Sequence, residues 1–463
     1  MHYFFSGIGG AGTLPLAQIL LGRGHQISWS DRDFDAGKLP GKFATITRLF
    51  PHHYPQDGSG VRALAGQLTA LVPSGTVEDK VPDIAAAREA GVAIIKRPQL
   101  LSQIFAAART SIGVAGTSGK TTTTGLLGYL LAELGKDPTV MNGGILANFT
   151  TAENPLCCAL AGNPDLFVSE IDESDGSIAL FTPKVSIVTN IGFDHKPLHE
   201  LEPLFADYIA RSQGAVLNFD DARLRALAPR CRGIAVSYGL DWPAARFTAT
   251  DIVLHPGGSH FTLVDRALDQ RWPVQLNVPG AHNISNALAA LAALALLGIE
   301  MDKATAALAG FKGIKRRLEL VGERNGITVI DDFAHNPDKI AASLATLVAF
   351  PGRLLVMFQP HGYGPLRLMY RELAEGFAAQ LRPTDKLLIP EPFYAGGTVD
   401  RSVTSAHLVA ELKARGIAAE VFPDRASITA PLLAAASPGD RIIVMGARDD
   451  TLADYAADLL KRL

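Results

Sequence analysis

The residues best placed to do chemistry are Lys120 and Thr121, which follow Gly116-Thr117-Ser118-Gly119 and precede Thr122-Thr123-Thr124. A short apolar run ending at Ala115 leads into this turn. Leu126, Leu127, Leu130 and Leu131 then recur on one side of the next segment, so the pattern predicts strand, loop and helix. Such a loop is a phosphate cradle. Its glycines let backbone N–H groups close on an anion, and the helix N-terminus adds partial positive charge. Lys120 can reach the β and γ phosphates, and the Thr121 hydroxyl can hold a magnesium ion. Gly116, Thr117, Ser118, Gly119, Lys120, Thr121 and Thr122 are therefore the candidate nucleotide contacts, with ATP as the expected ligand. The common form of the motif has glycine where this chain has Val114, so the match is to a shorter Gly-Thr-x-Gly-Lys-Thr form. A chance Gly-Lys-Thr loop is the alternative, and the strand and helix around it argue against that.

Further along, the apolar strand Asp165 to Ile171 runs into Asp172-Glu173-Ser174-Asp175, and Val185 to Ile191 runs into Gly192-Phe193-Asp194-His195. Ligands collect beyond the carboxyl ends of strands in an open parallel sheet. Thr121, Glu173 and His195 can therefore converge on metal ions that bridge ATP and a substrate. The competing reading of Asp172 to Asp175 is a solvated turn capping the next element. Asn283 and Asn286 lie three apart at the start of a long apolar helix that Gly298 stops. Their amides share one face and can read an adenine edge, with helix capping the alternative for Asn283.

The chain opens on a second glycine turn. A first strand ends in Gly7-Ile8-Gly9-Gly10-Ala11-Gly12, a helix covers about Leu14 to Leu21, and a second strand Gln26 to Ser30 closes on Asp31. A Gly-x-Gly-x-x-Gly turn with an acidic residue about 20 positions on is the layout of a dinucleotide site. Tight strand-helix packing and a different diphosphate, such as a UDP-sugar, remain open on these residues alone. His52 and His53 sit in what reads as an exposed turn, without a third ligand at helical spacing.

These elements need a large scaffold. At 463 residues the chain is too long for one core and suits about three domains. An apolar content of 48% with 19% charged residues describes a soluble globular protein, and a net charge of -3 leaves no footprint for nucleic acid. Cys157, Cys158 and Cys231 are too few for a disulfide framework, which fits a reducing compartment. The apolar start lacks a basic n-region and reads as a strand, not a signal peptide. The segment Ala287 to Leu297 is too short to span a bilayer. A cytoplasmic location without membrane partners is expected.

Past Lys315 strands and helices alternate again: Ile327 to Asp332, helix Lys339 to Leu347, strand Arg353 to Phe358, helix Arg371 to Leu381, strand Lys386 to Ile389, helix Ser405 to Arg415, strand Arg441 to Met445 and helix Leu452 to Leu460. The expected class is α/β in three domains. Residues 1–108 form a Rossmann-like domain, 109–314 a central ATP-binding domain with a mostly parallel sheet, and 315–463 a doubly wound C-terminal domain.

The phosphate loop, Asp172 to Asp175, Thr189 to His195, Ala281 to Ala287, Arg316-Arg317-Leu318-Glu319 and Asp331 to Pro337 occur in one order along the chain. That ordered set resembles the Mur ligases, ATP-dependent amide-forming enzymes that build the peptidoglycan peptide. Gly7 to Gly12, Met141-Asn142-Gly143-Gly144 and Phe358-Gln359-Pro360-His361 are most similar to the branch that joins L-alanine to UDP-N-acetylmuramic acid. The resemblance implies a UDP-sugar, not NAD, at Gly9, Gly10, Ala11 and Gly12, with Asp31 and Ser74 beside it. It implies that Lys120, Glu173, His195 and Arg317 are catalytic, with Arg317 at the γ-phosphate, and that Thr121, Glu173 and His195 bind Mg2+. It also implies Asn283 and Asn286 at adenine, Asp332 at the ribose, and His335 and His361 at the amino acid. The family's chemistry would phosphorylate the acid with ATP and let an amine attack the acyl phosphate, with closure of the third domain excluding water.

The chain departs from the branch pattern in places. Ser118 replaces a histidine, Gly362-Tyr363-Gly364-Pro365 replaces a basic, Thr-containing stretch, and Gly446-Ala447-Arg448-Asp449-Asp450 is atypical. The helix around Ala210 offers no lysine for carbamylation, in agreement with the alanine-adding branch. A relative with another acceptor amine or peptide, such as a murein-peptide recycling ligase, is the competing expectation. An NAD-dependent oxidoreductase is the third.

Overall fold

The computed structural model describes residues 1–75, 80–192, 197–394 and 399–463. The fold is α/β, with three sheets that are mostly parallel. The first contains β1 (His2–Ser6), β2 (Gln26–Ser30), β3 (His52–His53) and β4 (Ala70–Pro73) in the order β3-β2-β1-β4, every pairing parallel. His52 and His53, expected in a loop, instead pair with Ser28 and Trp29 as a short edge strand. The His53 ring packs 5.4 Å from Trp29 and 5.1 Å from Phe34, so aromatic contact accounts for it. Ile94 adds a single isolated bridge to Leu71 before the next helix begins at Arg97.

The second sheet holds β5 (Thr110–Ala115), β6 (Pro138–Met141), β7 (Ala159–Ala161), β8 (Asn163–Glu170), β9 (Val185–Val188), β10 (Gly214–Asn218), β11 (Ile234–Tyr238), β12 (Phe247–His255), β13 (Gly258–Asp265) and β14 (Gln270–Leu276). Its order is β14-β13-β12-β11-β10-β9-β5-β8-β6-β7. Parallel β5 sits between β8 and β9, so three apolar strands aim their carboxyl ends at one region. A two-residue loop joins β12 to its neighbour β13, which requires an antiparallel pair.

The third sheet contains β15 (Glu319–Arg324), β16 (Ile327–Asp332), β17 (Leu354–Gln359), β18 (Lys386–Pro390), β19 (Ala419–Phe422) and β20 (Arg441–Gly446), ordered β15-β16-β20-β17-β18-β19. Among the described residues, only β15 runs antiparallel in this sheet. Alternate residues of β20 serve separate cores: Ile443 and Met445 pack on one face, Ile442 and Val444 on the other. Both faces are therefore covered, as a parallel sheet needs. The helix expected from Arg371 begins at Tyr363, with Pro365 in its first turn, where its missing N–H costs nothing.

The chain separates into two compact units, one of Met1–Val253, His260–Asn277 and Asn283–Ile314, the other of Leu254–Ser259, Val278–His282 and Lys315–Leu463. The first two sheets share the first unit through one buried cluster, in which Phe105 meets Phe167 at 5.6 Å and Phe181 at 5.6 Å. Among the described residues, no helix is long and apolar enough to cross a membrane.

Candidate active site

The loop after β5 is forced into its shape by glycine. Gly116 has φ +128° and Gly119, the cap of the helix Lys120–Glu133, has φ +85°, conformations that L side chains resist. A Cβ on Gly116 would stand 2.2 Å from Thr189 Oγ1 and 3.0 Å from Asn190 N. One on Gly119 would stand 2.5 Å from Asn286 Oδ1. The residues after β9 clasp the loop. Thr117 N donates to Asn190 O at 3.1 Å, Ser118 N donates to Asn190 Oδ1 at 2.9 Å, and Thr189 Oγ1 donates to Ser118 O at 2.6 Å. The Thr117 hydroxyl accepts from Gly192 N at 2.9 Å. Thr122 comes next, half-buried, in the first helical turn.

Two polar pairs lie at the head of this helix. Lys120 Nζ donates to Glu173 Oε2 at 2.9 Å, Glu173 Oε1 at 3.1 Å and Gly116 O at 2.5 Å. Thr121 Oγ1 donates to Glu170 Oε1 at 3.1 Å, and the other Glu170 oxygen accepts from Gly143 N at 2.8 Å. Burial works against the Lys120 charge, but Glu173 and Glu170 outweigh it and hold the ammonium above the ordinary lysine range. Burial pushes the Glu173 carboxyl up, against the pull of Lys120. Asp172 is held below its usual range despite burial, by the Ser174 N–H and then Lys120.

Glu170 was not singled out by sequence. Its signal was an acidic residue closing an apolar strand, and the register Val114 to Glu170 brings it beside the loop. A glycine cradle that a Cβ would fill, an ammonium at its rim, and a hydroxyl beside carboxylates form a donor set that fits a magnesium-bound polyphosphate. His195 lies outside the described residues. Among the described residues, no group of three or more His, Cys, Asp or Glu side chains could hold a metal.

Asn283 and Asn286 occupy one face of the helix Ala281–Leu296. Asn286 Nδ2 donates to Asn283 Oδ1 at 3.2 Å, and its oxygen accepts from Thr123 Oγ1 at 3.3 Å. Asn286 thus lies against the glycine loop as well as beside its partner.

The first glycine turn differs in its charges. Asp31 Oδ2 accepts from Gly9 N at 2.9 Å, and Oδ1 accepts from Asp33 N at 2.9 Å. Burial raises its pKa, with the two N–H groups opposing. Asp31 therefore braces the turn. A Cβ on Gly10 would meet Ser74 Oγ at 2.9 Å, which places Ser74 at the rim with Gly9, Ala11 and Gly12. Arg97, unmarked by any motif, lies over Gly12, its Nη1 2.9 Å from where a Cβ would stand, and reaches Asp175 at 3.7 Å.

In the second unit, Arg316 Nε donates to Asp331 Oδ2 at 3.1 Å and Nη2 donates to Gly446 O at 2.9 Å, an internal clamp. Burial lifts Asp331 to about 6 against the pull of Arg316. The Arg317 guanidinium lies 4.7 Å above the Phe333 ring. Asp332 accepts from Leu318 N at 3.3 Å, and burial raises its pKa. His335 and His361, expected together at the amino acid, have ring centroids 4.8 Å apart.

Two family profiles match the chain: "Mur ligase middle domain" over residues 114–294 and "Mur ligase, glutamate ligase domain" over 316–448. A UDP-N-acetylmuramate--L-alanine ligase of Thiobacillus denitrificans is 35% identical, across 96% of this chain and 95% of that protein. The enzyme of the same name from Rubrobacter xylanophilus is 33% identical across 100% of both. Among solved structures, a UDP-N-acetylmuramate-alanine ligase from Thermotoga maritima shares the fold at a TM-score of 0.78 and 23% identity, covering 100% of this chain and 98% of that one. A murein peptide ligase from Psychrobacter arcticus does so at 0.73 and 23%, covering 100% and 99%.

Sheet order, matched domains and full-length relatives together define an enzyme of the acid–amino-acid ligase class. The chain belongs to the Mur ligase family.

Proposed function

We propose that this chain is an ATP-dependent, ADP-forming ligase that joins L-alanine to the carboxylate of UDP-N-acetylmuramic acid in the cytoplasm, a step of peptidoglycan synthesis. The observation that carries the reading is the Lys120–Glu173 pair at the glycine loop, largely screened from solvent, with Thr121 and Glu170 beside it. The names of full-length relatives support the choice of substrates. Residues 1–108 are assigned to the UDP-sugar, 109–314 to ATP and 315–463 to the amino acid.

A carboxylate is a poor acyl donor at neutral pH. Its oxygen attacks the γ-phosphorus, ADP leaves, and an acyl phosphate forms. The free amine then attacks the acyl carbon, loses a proton and expels phosphate. Lys120 offsets charge on the transferring group, and Arg317 is assigned the same task, with Asp332 at the ribose and Asn283 and Asn286 at adenine. Thr121, Glu173 and His195 are assigned to Mg2+, with Glu170 added on its contact to Thr121. When bound, magnesium neutralises phosphate charge. Glu173 and Lys120 hold one another, so the metal and phosphate roles are linked through one pair. His335 and His361 are assigned to the amino acid.

Gly362-Tyr363-Gly364-Pro365 favours a second reading, a family member that takes a different amine or a preformed peptide. ADP release measured with UDP-N-acetylmuramic acid and a panel of acceptors tests both. Turnover with L-alanine and not with a tripeptide is expected. Turnover with the tripeptide alone overturns the first reading in favour of the second.

A further inference from the structure

Adjacent strands β16, β20 and β17 are followed, two or three residues beyond their carboxyl ends, by His335, Arg448 and His361. Ligands of parallel sheets collect there. Arg448 is exposed and adopts φ +64°, a left-handed conformation unusual for a side chain of its size. The backbone around it is fixed. Ala447 is buried, and the Asp449 carboxylate accepts from Gln359 Nε2 at 2.8 Å, Arg425 Nη1 at 2.9 Å and Thr451 N at 3.0 Å. Arg316 Nη1 also donates to Asp449 O at 3.3 Å. A guanidinium is thus presented from a rigid loop.

The neighbouring arginines are occupied, Arg316 with Asp331 and Arg425 with Asp449. Arg448 has no carboxylate partner among the described residues. Gly362, at φ +148°, lies beside it: a Cβ there would be in ordinary contact, 3.9 Å from Arg448 Nη1. The segment after Gly362 supplies no cation before Arg367.

We propose that Arg448 receives the α-carboxylate of the incoming amino acid, pairing with it through its planar fork of donors. This role rests on the ligase reading. It assigns the anion-recognising group of the acceptor site to the loop after β20, not to the residues after His361.

Steady-state ADP release with saturating ATP and UDP-N-acetylmuramic acid tests it. Arg448→Ala is expected to raise the KM for L-alanine about 10- to 100-fold, with Arg448→Lys between. The KM values for ATP and the UDP-sugar should stay unchanged, which also reports intact folding. L-alaninamide lacks the carboxylate, so the variant should lose nothing further with that acceptor. An unchanged KM for L-alanine, or equal loss with both acceptors, overturns the proposal alone. Wild-type protein that turns over no L-alanine overturns the ligase reading and this proposal with it.

Discussion

The glycine turn after β1 and the glycine loop after β5 each join a buried parallel strand to a helix, yet their charges are arranged differently. At the first turn the carboxylate faces inward, with Asp31 holding Gly9 N–H at 2.9 Å, and the nearby cation, Arg97, comes from a separate helix. At the second the cation belongs to the loop itself: Lys120 is enclosed by Glu173, with Glu170 also close enough to act on its charge. On the proposed function, in which the first turn takes a UDP-sugar and the second ATP, backbone shape alone does not distinguish the two. A largely buried lysine counterbalanced by acids does, because its charge acts in a low dielectric without reorganisation.

The largest test removes that lysine. Lys120→Ala should lower ADP formation by at least about 10²-fold, the scale of one preorganised donor, and leave Glu173 buried without its partner. Denaturant unfolding should then show a loss of about 3 kcal/mol. The double variant Lys120→Ala/Glu173→Gln should recover much of that stability and none of the turnover. If turnover in the single variant remains near wild type, the contrast between the turns fails.

Steric tests come next. Gly116→Ala places a Cβ 2.2 Å from Thr189 Oγ1 at a positive φ, so a loss of about 2 kcal/mol or more is expected in urea unfolding. Gly9→Ala meets Asp31 Oδ2 at 3.1 Å and a Phe43 ring carbon at 3.2 Å, which can give way, and should lose about 1 kcal/mol or less. Equal losses would mean that the two turns are equally constrained. The cations are separated kinetically. Arg97→Ala should raise the KM for the UDP-sugar about tenfold, one charge-assisted hydrogen bond, and leave that for ATP alone. A shift in the ATP value instead would place Arg97 with the second loop.

Much of this contrast was legible in the sequence, and the exceptions have physical causes. Strand, glycine and lysine are local, so the strand, glycine loop and helix could be read from residue types. Glu170 beside Thr121 depends on strand register, and Arg97 over Gly12 depends on packing between segments some 85 residues apart, 97 − 12. Neither contact has a local signature. The edge strand β19 is four residues with two exposed, and the helix Ala426–Ala435 carries Pro431 inside it, so both escaped a reading by periodicity. The helix expected from Arg371 begins eight residues earlier, at Tyr363, because Pro365 is tolerated in a first turn. The three α/β stretches were visible; the single aromatic core joining the first two was not, since Phe105, Phe167 and Phe181 meet only in the fold.

The smallest effect falls on the brace of the first turn. Asp31→Asn keeps the shape and one acceptor oxygen for the Gly9 N–H while removing a charge that burial disfavours. The folded pKa of Asp31 lies above its unfolded value of 3.8, so the folded protein holds this proton to higher pH than the unfolded chain does. Its contribution to stability is therefore fully present below 3.8 and is lost as pH rises through the folded value. The variant should remove that slope from the stability profile measured by urea unfolding, starting at the lowest pH where the protein stays folded. At pH 7 it should differ from wild type by about 1 kcal/mol or less, the net scale of one hydrogen bond. A loss of several kcal/mol there would mean that the turn needs the full negative charge, and the brace would have to be regarded as an electrostatic element like Glu173.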